Sequence, residues 1–121
     1  MDIVVTGVGM VSALGIGVEK NLERMRSGIS GISPTPTILK TTHKLPVGEL
    51  CVTNEELHDM LGIPQHEHLS RTALLGIMAV REAMSCTAID RTKRIGLVSS
   101  TSVGGMDLTE HFFEEFIEND K

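Results

Sequence analysis

The chain opens on a β-branched apolar run, Ile3-Val4-Val5, that passes through Thr6 into a glycine-punctuated stretch, Gly7-Val8-Gly9-Met10-Val11-Ser12-Ala13-Leu14-Gly15, and then into a helical pattern at Val18. A buried parallel strand hands over to a packed helix in this way. The helix is predicted over Val18–Ser27, with Val18, Leu22 and Met25 at i, i+4 and i+7 on one face and Glu19, Lys20, Glu23, Arg24 and Arg26 on the others. Gly28 closes it, since glycine takes positive φ at little cost. From Ile29 to Thr42 the residues Ser30, Gly31, Ser33, Pro34 and Pro36 read as an excursion over the surface. A short strand is expected over Leu45–Cys51, held to an edge by Pro46 and Gly48.

The second half has three more helical patterns or strands. Thr53-Asn54-Glu55-Glu56 is a capping box, followed by an apolar side of Leu57, Met60 and Leu61 and ended by Gly62 and Pro64. From about Ser70 to Met84 the apolar residues, among them Ala73, Leu74, Ile77, Met78, Val80 and Met84, cover nearly the whole circumference, which predicts a helix buried on several sides. A strand is expected over Ile95–Thr101, then the turn Ser102-Val103-Gly104-Gly105, then a last helix from near Met106. Leu108, Phe112 and Phe116 recur there at four-residue spacing, with Phe113 and Ile117 alongside. The Phe face and the all-round apolar helix both ask for more protein around them.

Composition narrows the function classes. At 121 residues the chain holds one domain at most, with 40% apolar and 22% charged residues. A net charge of −5, no Tyr or Trp and three Phe argue against nucleic-acid binding, which wants a basic face and stacking rings. The longest apolar stretch, Ala73–Val80, falls well short of the roughly 18 residues that span a bilayer, so neither a membrane span nor a secretory leader is read, and the expected location is cytoplasmic. Cys51 and Cys86 have no CxxC spacing and read as ordinary semi-buried thiols. His43, His58, His66, His68 and His111 are scattered and read as solvated; His66-Glu67-His68 is the nearest approach to a metal motif, and no metal or cofactor is expected.

The opening glycines raise a dinucleotide site, Gly7-x-Gly9-x-x-Ser12. The third position is Ser where Gly or Ala is wanted, and no second strand ends in Asp or Glu about 20 residues on to hold a ribose. After Thr6-Gly7 the next glycines fall at 9 and 15, outside the TGxxxGxG frame of a short-chain dehydrogenase.

The same residues resemble the amino terminus of the β-ketoacyl-acyl carrier protein synthases, of the thiolase superfamily. That family opens with a strand and a TGxGxVSxxG pattern, which Thr6 to Gly15 follow. Its next landmark, a helix ending in LxxGxSGI, is matched by Met25-Arg26-Ser27-Gly28-Ile29-Ser30-Gly31-Ile32 with Met for Leu. The helix ending Ala83-Met84 and the stretch from Arg94-Ile95-Gly96 to Gly104-Gly105-Met106 follow in order.

The resemblance implies an α/β chain, the N-terminal part of a thiolase-like fold with a mixed sheet and one fully buried helix, so that residues 1–121 form an incomplete N-terminal segment. The family's nucleophilic cysteine lies at a strand-to-helix elbow beyond the Gly-Gly loop, with its paired histidines further on. The chain is therefore expected to carry no catalytic residue and to be inert alone. Val103 matches the apolar loop position that borders the acyl pocket and is the expected substrate-binding residue. Ser100 and Ser102 stand where the family has glycines, and Leu22 where a Trp is common. The implied partner is acyl carrier protein, although Gln65, His66, Glu67 and His68 stand where many relatives carry basic docking residues. A second copy, or a missing C-terminal portion, is expected to cover the apolar faces. A natural non-catalytic ketosynthase-like partner or small binding module is the alternative.

Overall fold

The computed structural model describes residues 3–90 and 92–119. The first regular structure is a hairpin of β1 (Val11–Ser12) and β2 (Gly15–Ile16), with Val11 opposite Ile16 and Ser12 opposite Gly15. Gly17 then turns the chain, at φ +96°, into α1 (Val18–Arg26). A second antiparallel pair joins β3 (Ile32–Ser33) to β4 (Val47–Gly48) across the surface excursion. Next comes α2 (Asn54–Leu61), whose capping box forms as the sequence predicts: Glu56 N donates to Thr53 Oγ1 (3.2 Å) and Thr53 N to Glu56 Oε2 (2.7 Å). It ends on Gly62 in the left-handed region, at φ +68°. Ser70 caps α3 (Arg71–Ser85) by accepting from Ala73 N, and α4 (Met106–Asn119) completes the order.

The core lies between α2 and α3. Leu57 and Leu74 are fully buried, Met78 nearly so, and Val11, Ile16, Leu50, Val52, Leu61, Leu69 and Leu75 pack around them. Arg71 fastens the chain leading into α2 to the start of α3: its guanidinium donates to the carbonyls of Leu50 and Val52 and to Asn54 Oδ1, each at 2.9 Å.

Residues 7–9 lie directly on the backbone of α3. A methyl group at Gly9 would stand 1.8 Å from the Ala79 carbonyl oxygen, and one at Gly7 2.1 Å from that of Ala83. No side chain fits at either position. Glu82, one turn along α3, completes the attachment by accepting from Met10 N (2.8 Å) through one carboxylate oxygen and from Val18 N (2.7 Å) through the other. The second bond satisfies an orphan amide at the start of α1, where a carboxylate is also favoured by the helix dipole.

Three expectations about the fold are corrected. Ile3–Thr6 and Ile95–Thr101 form no strand, and the expected mixed sheet is replaced by two separate two-stranded antiparallel sheets. A β-branched run becomes a strand only where a second strand takes up its N–H and C=O groups, and among the described residues neither run has one. Ile3 and Val98 are each 98% exposed. Helix α3 is buried along one face only: α2 and the 7–11 segment cover Leu74 and Met78, while Ile77, Val80 and Met84 are open. Helix α1 turns a polar residue inward. Asn21 is fully buried, whereas Leu22 and Met25 face solvent. The reason is local: the Gly15 and Gly17 carbonyls point in and take both Asn21 Nδ2 protons (2.9 and 2.7 Å), and Ser12 Oγ donates to Asn21 Oδ1.

Gly9→Ala is expected to lower stability by about 1–3 kcal/mol through overpacking against α3. Gly76→Ala, in the same helix but with open space at the Cβ position, is expected to raise it by about 0.4–1 kcal/mol. Urea midpoints of the two variants against the parent chain read both signs.

Candidate functional site

The sequence points to the turn 102–105, and the structure builds a groove beside it. One wall is the open face of α3, presenting Ala73, Gly76, Ile77 and Val80; the other is the run from Leu97 to Thr101, leading into Gly104 and Gly105. The cavity measures about 590 Å³. Its floor is apolar and its polar groups are hydroxyls, from Ser70 and Thr72 on one side and Ser99, Ser100 and Thr101 on the other. None of its lining residues carries a carboxylate, imidazole, thiol or amine. Such a groove can hold an apolar group and orient it by hydroxyl hydrogen bonds, but it offers neither a nucleophile nor a general base.

Glycine is required where the turn closes. A methyl group at Gly104 would lie 2.7 Å from Thr101 Cγ2 and 3.1 Å from Thr72 Cγ2, and Gly105 has φ +89°. The turn then starts α4, and Asp107 accepts from Arg71 N at 2.7 Å, so the first turns of α3 and α4 are tied together at one end of the groove. Val103 sits on this turn, 66% exposed. Its neighbours Gly104 and Gly105 line the groove and Val103 itself does not.

The remaining candidate residues do not converge. Both thiols are exposed, not semi-buried as expected. Cys86 ends α3, with Sγ 3.4 Å from the Glu82 carbonyl oxygen, and Cys51 Sγ accepts from Thr37 Oγ1 at 3.5 Å. His58 is buried rather than solvated, with Nδ1 3.2 Å from the Ile63 carbonyl oxygen. A carbonyl only accepts, so Nδ1 carries the proton and the ring serves as a brace at the end of α2. The other four histidines are exposed. Among the described residues no three His, Cys, Asp or Glu side chains gather as a metal would require, and no helix is long and apolar enough to cross a membrane.

Sequence reasoning missed Glu49. Its carboxylate accepts from three successive backbone amides, Thr37, Ile38 and Leu39, and from the Thr37 hydroxyl at 2.8 Å. Led by the bonds from Thr37 N and Leu39 N, these donors lower its pKa from 4.5 to about 2. No local sequence pattern marks it, because donor and acceptor lie ten to twelve residues apart.

Comparison with known proteins returns one kind of relative. The chain is similar to 3-oxoacyl-[acyl-carrier-protein] synthase 2 of Staphylococcus aureus, in strains COL and MRSA252 alike, at 27% identity over 113 residues, covering 89% of this chain and 27% of the relative. The chain thus spans about a quarter of the length of the curated relatives it matches. No family model matches it, and no solved structure does. The distant similarity agrees with the resemblance carried by Thr6 to Gly15.

Two outcomes follow from the local geometry. Glu82→Ala, which leaves the amides of Met10 and Val18 without their acceptor, is expected to cost about 1–3 kcal/mol of stability, and Glu82→Gln less, as seen in thermal melts. The Glu49 grip is complete above pH 4.5, the unshifted value, and is lost as the pH falls through about 2, because the folded-state pKa is the lower one. Amide exchange at residues 37–39 should accelerate over that window, and in Glu49→Gln should already be fast at neutral pH.

Proposed function

We propose that residues 1–121 are the amino-terminal segment of a β-ketoacyl-acyl carrier protein synthase, and that they frame an active site without supplying its reacting groups. The observation that carries this reading is the alignment, which runs over 89% of this chain and 27% of its relative. The glycines of the TGxGxVSxxG pattern support it, since Gly7 and Gly9 lie at backbone contact with α3 and leave no room for a ligand phosphate.

The complete enzyme transfers an acyl group to a cysteine thiolate and then condenses it with malonyl-acyl carrier protein, releasing carbon dioxide. This chain's part is to fix the Val103 turn through Gly104 and the Asp107–Arg71 bond, and to present the hydroxyl-rimmed groove beside it. Val103 borders the acyl chain once the fold is complete. Acyl carrier protein is the partner, and it docks on residues other than Gln65, His66, Glu67 and His68, which are exposed and carry no fixed positive charge.

The test has two arms. The purified 121-residue chain, given acyl- and malonyl-acyl carrier protein, is expected to release no carbon dioxide and form no 3-oxoacyl product. Reading the gene beyond codon 121 is expected to reveal a strand and a cysteine elbow. A stop codon at that point would sink the ketosynthase reading in favour of a non-catalytic module. In the continuous enzyme, Val103→Phe is expected to shorten the acyl chains accepted, read as a change in kcat/KM across acyl lengths.

A further inference from the structure

We propose that α4 binds one copy of this chain to the next, seating its exposed aromatic ridge in the groove of the 34–46 loop on a second copy. The inference is independent of the ketosynthase reading and rests on two complementary surfaces.

The first surface is α4. It is tied to the rest of the chain at its inner side, through Asp107 on Arg71 N and through Phe112, which meets His68 edge to face at 5.3 Å. Leu108 and Phe112 are half-buried there. On the outer side Met106, Phe113 and Ile117 fall at i, i+7 and i+11 with Phe116 beside them, and all four are exposed, Phe116 by 68%. The helix also carries Asp107, Glu110, Glu114, Glu115 and Glu118 and no Lys or Arg. Acidic and basic residues balance over the rest of the chain, so the net charge of −5 is the charge of this one helix.

The second surface is opposite in sign. Pro34, Pro36, Leu39, His43, Lys44 and Pro46 line a groove of about 610 Å³. Between Ser33 and Gly48 the charged side chains are Lys40 and Lys44, both exposed, with no carboxylate among them. Prolines give the groove a stiff apolar floor, and the Glu49 carboxylate pins residues 37–39 in place. Little ordering is left to be lost when a partner binds. No α4 residue lines this groove within the chain. An aromatic helix bordered by carboxylates fits an apolar groove bordered by lysines, and opposite charge both steers the approach and fixes which surfaces meet. The contact joins different patches on the two copies, so it can propagate beyond a pair.

Sedimentation of the 121-residue chain over a range of concentrations tests this. Association is expected, with an apparent Kd that rises by about tenfold or more between low salt and about 0.5 M salt, as screening removes the attraction. The charge-reversed chains K40E/K44E and E110K/E118K, altered only at exposed positions, are each expected to sediment as monomers with unchanged circular dichroism. Mixed in equal amounts they should associate again, since each then offers the surface that the other needs. A monomeric parent chain, association indifferent to salt, or a mixture that stays monomeric overturns the proposal. So does association that survives both reversals and is lost in Ile77→Glu, which would place the contact at the α3 groove instead.

Discussion

The absence of a side chain at Gly7 and Gly9 lets the opening segment rest on the carbonyls of Ala83 and Ala79, and most of the tertiary structure is arranged around that contact. With the segment so close, Glu82 reaches two amides on it from α3. The amide of Val18 is thereby capped, α1 starts where it does, and the β1–β2 hairpin sits with its carbonyls over Asn21. Remove the contact and the hairpin, α1 and the buried asparagine lose their shared support. The glycines are therefore structural in a literal sense, and the phosphate-cradling role that their spacing first raises is filled instead by a helix backbone.

Local features were legible in the sequence to the degree that their physics is local. The capping box at Thr53, the caps at Ser70 and Gly62 and the helices themselves are decided within a few residues, and all form where the pattern places them. The orientation of α1 was not legible. Hydrophobic periodicity sees Val18, Leu22 and Met25, but the inward side is chosen by carbonyls of the preceding turn, which need donors that only a polar residue supplies. The two β-branched runs fail for the complementary reason. Their residues favour a strand, yet strand formation belongs to a pair of segments, and a propensity read along one chain cannot count partners.

The candidate site divides in the same way. The requirement for Gly104 beneath Val103 follows from a close approach that the Gly-Gly pattern signals, whereas the width of the groove depends on how far the 97–101 run stands from α3. The apolar circumference of α3 was legible as composition. Its half-covered state was not, because coverage is set by what else is present. Glu49 and Arg71 were invisible for want of any short-range pattern, although each organises the backbone of a distant segment by hydrogen bonds to main-chain groups.

The bonds of Glu82 also impose an order on folding. Its partner Met10 lies 72 residues earlier in the chain, so during synthesis the opening segment waits for α3 to leave the ribosome before it can lock. At roughly 5–20 residues per second that interval is about 4–15 s, during which Ile3, Val4 and Val5 travel with no native surface to rest on. The residues that begin the molecule are thus among the last to be secured, and a nascent chain of this sequence depends on whatever shields an apolar amino terminus in the meantime.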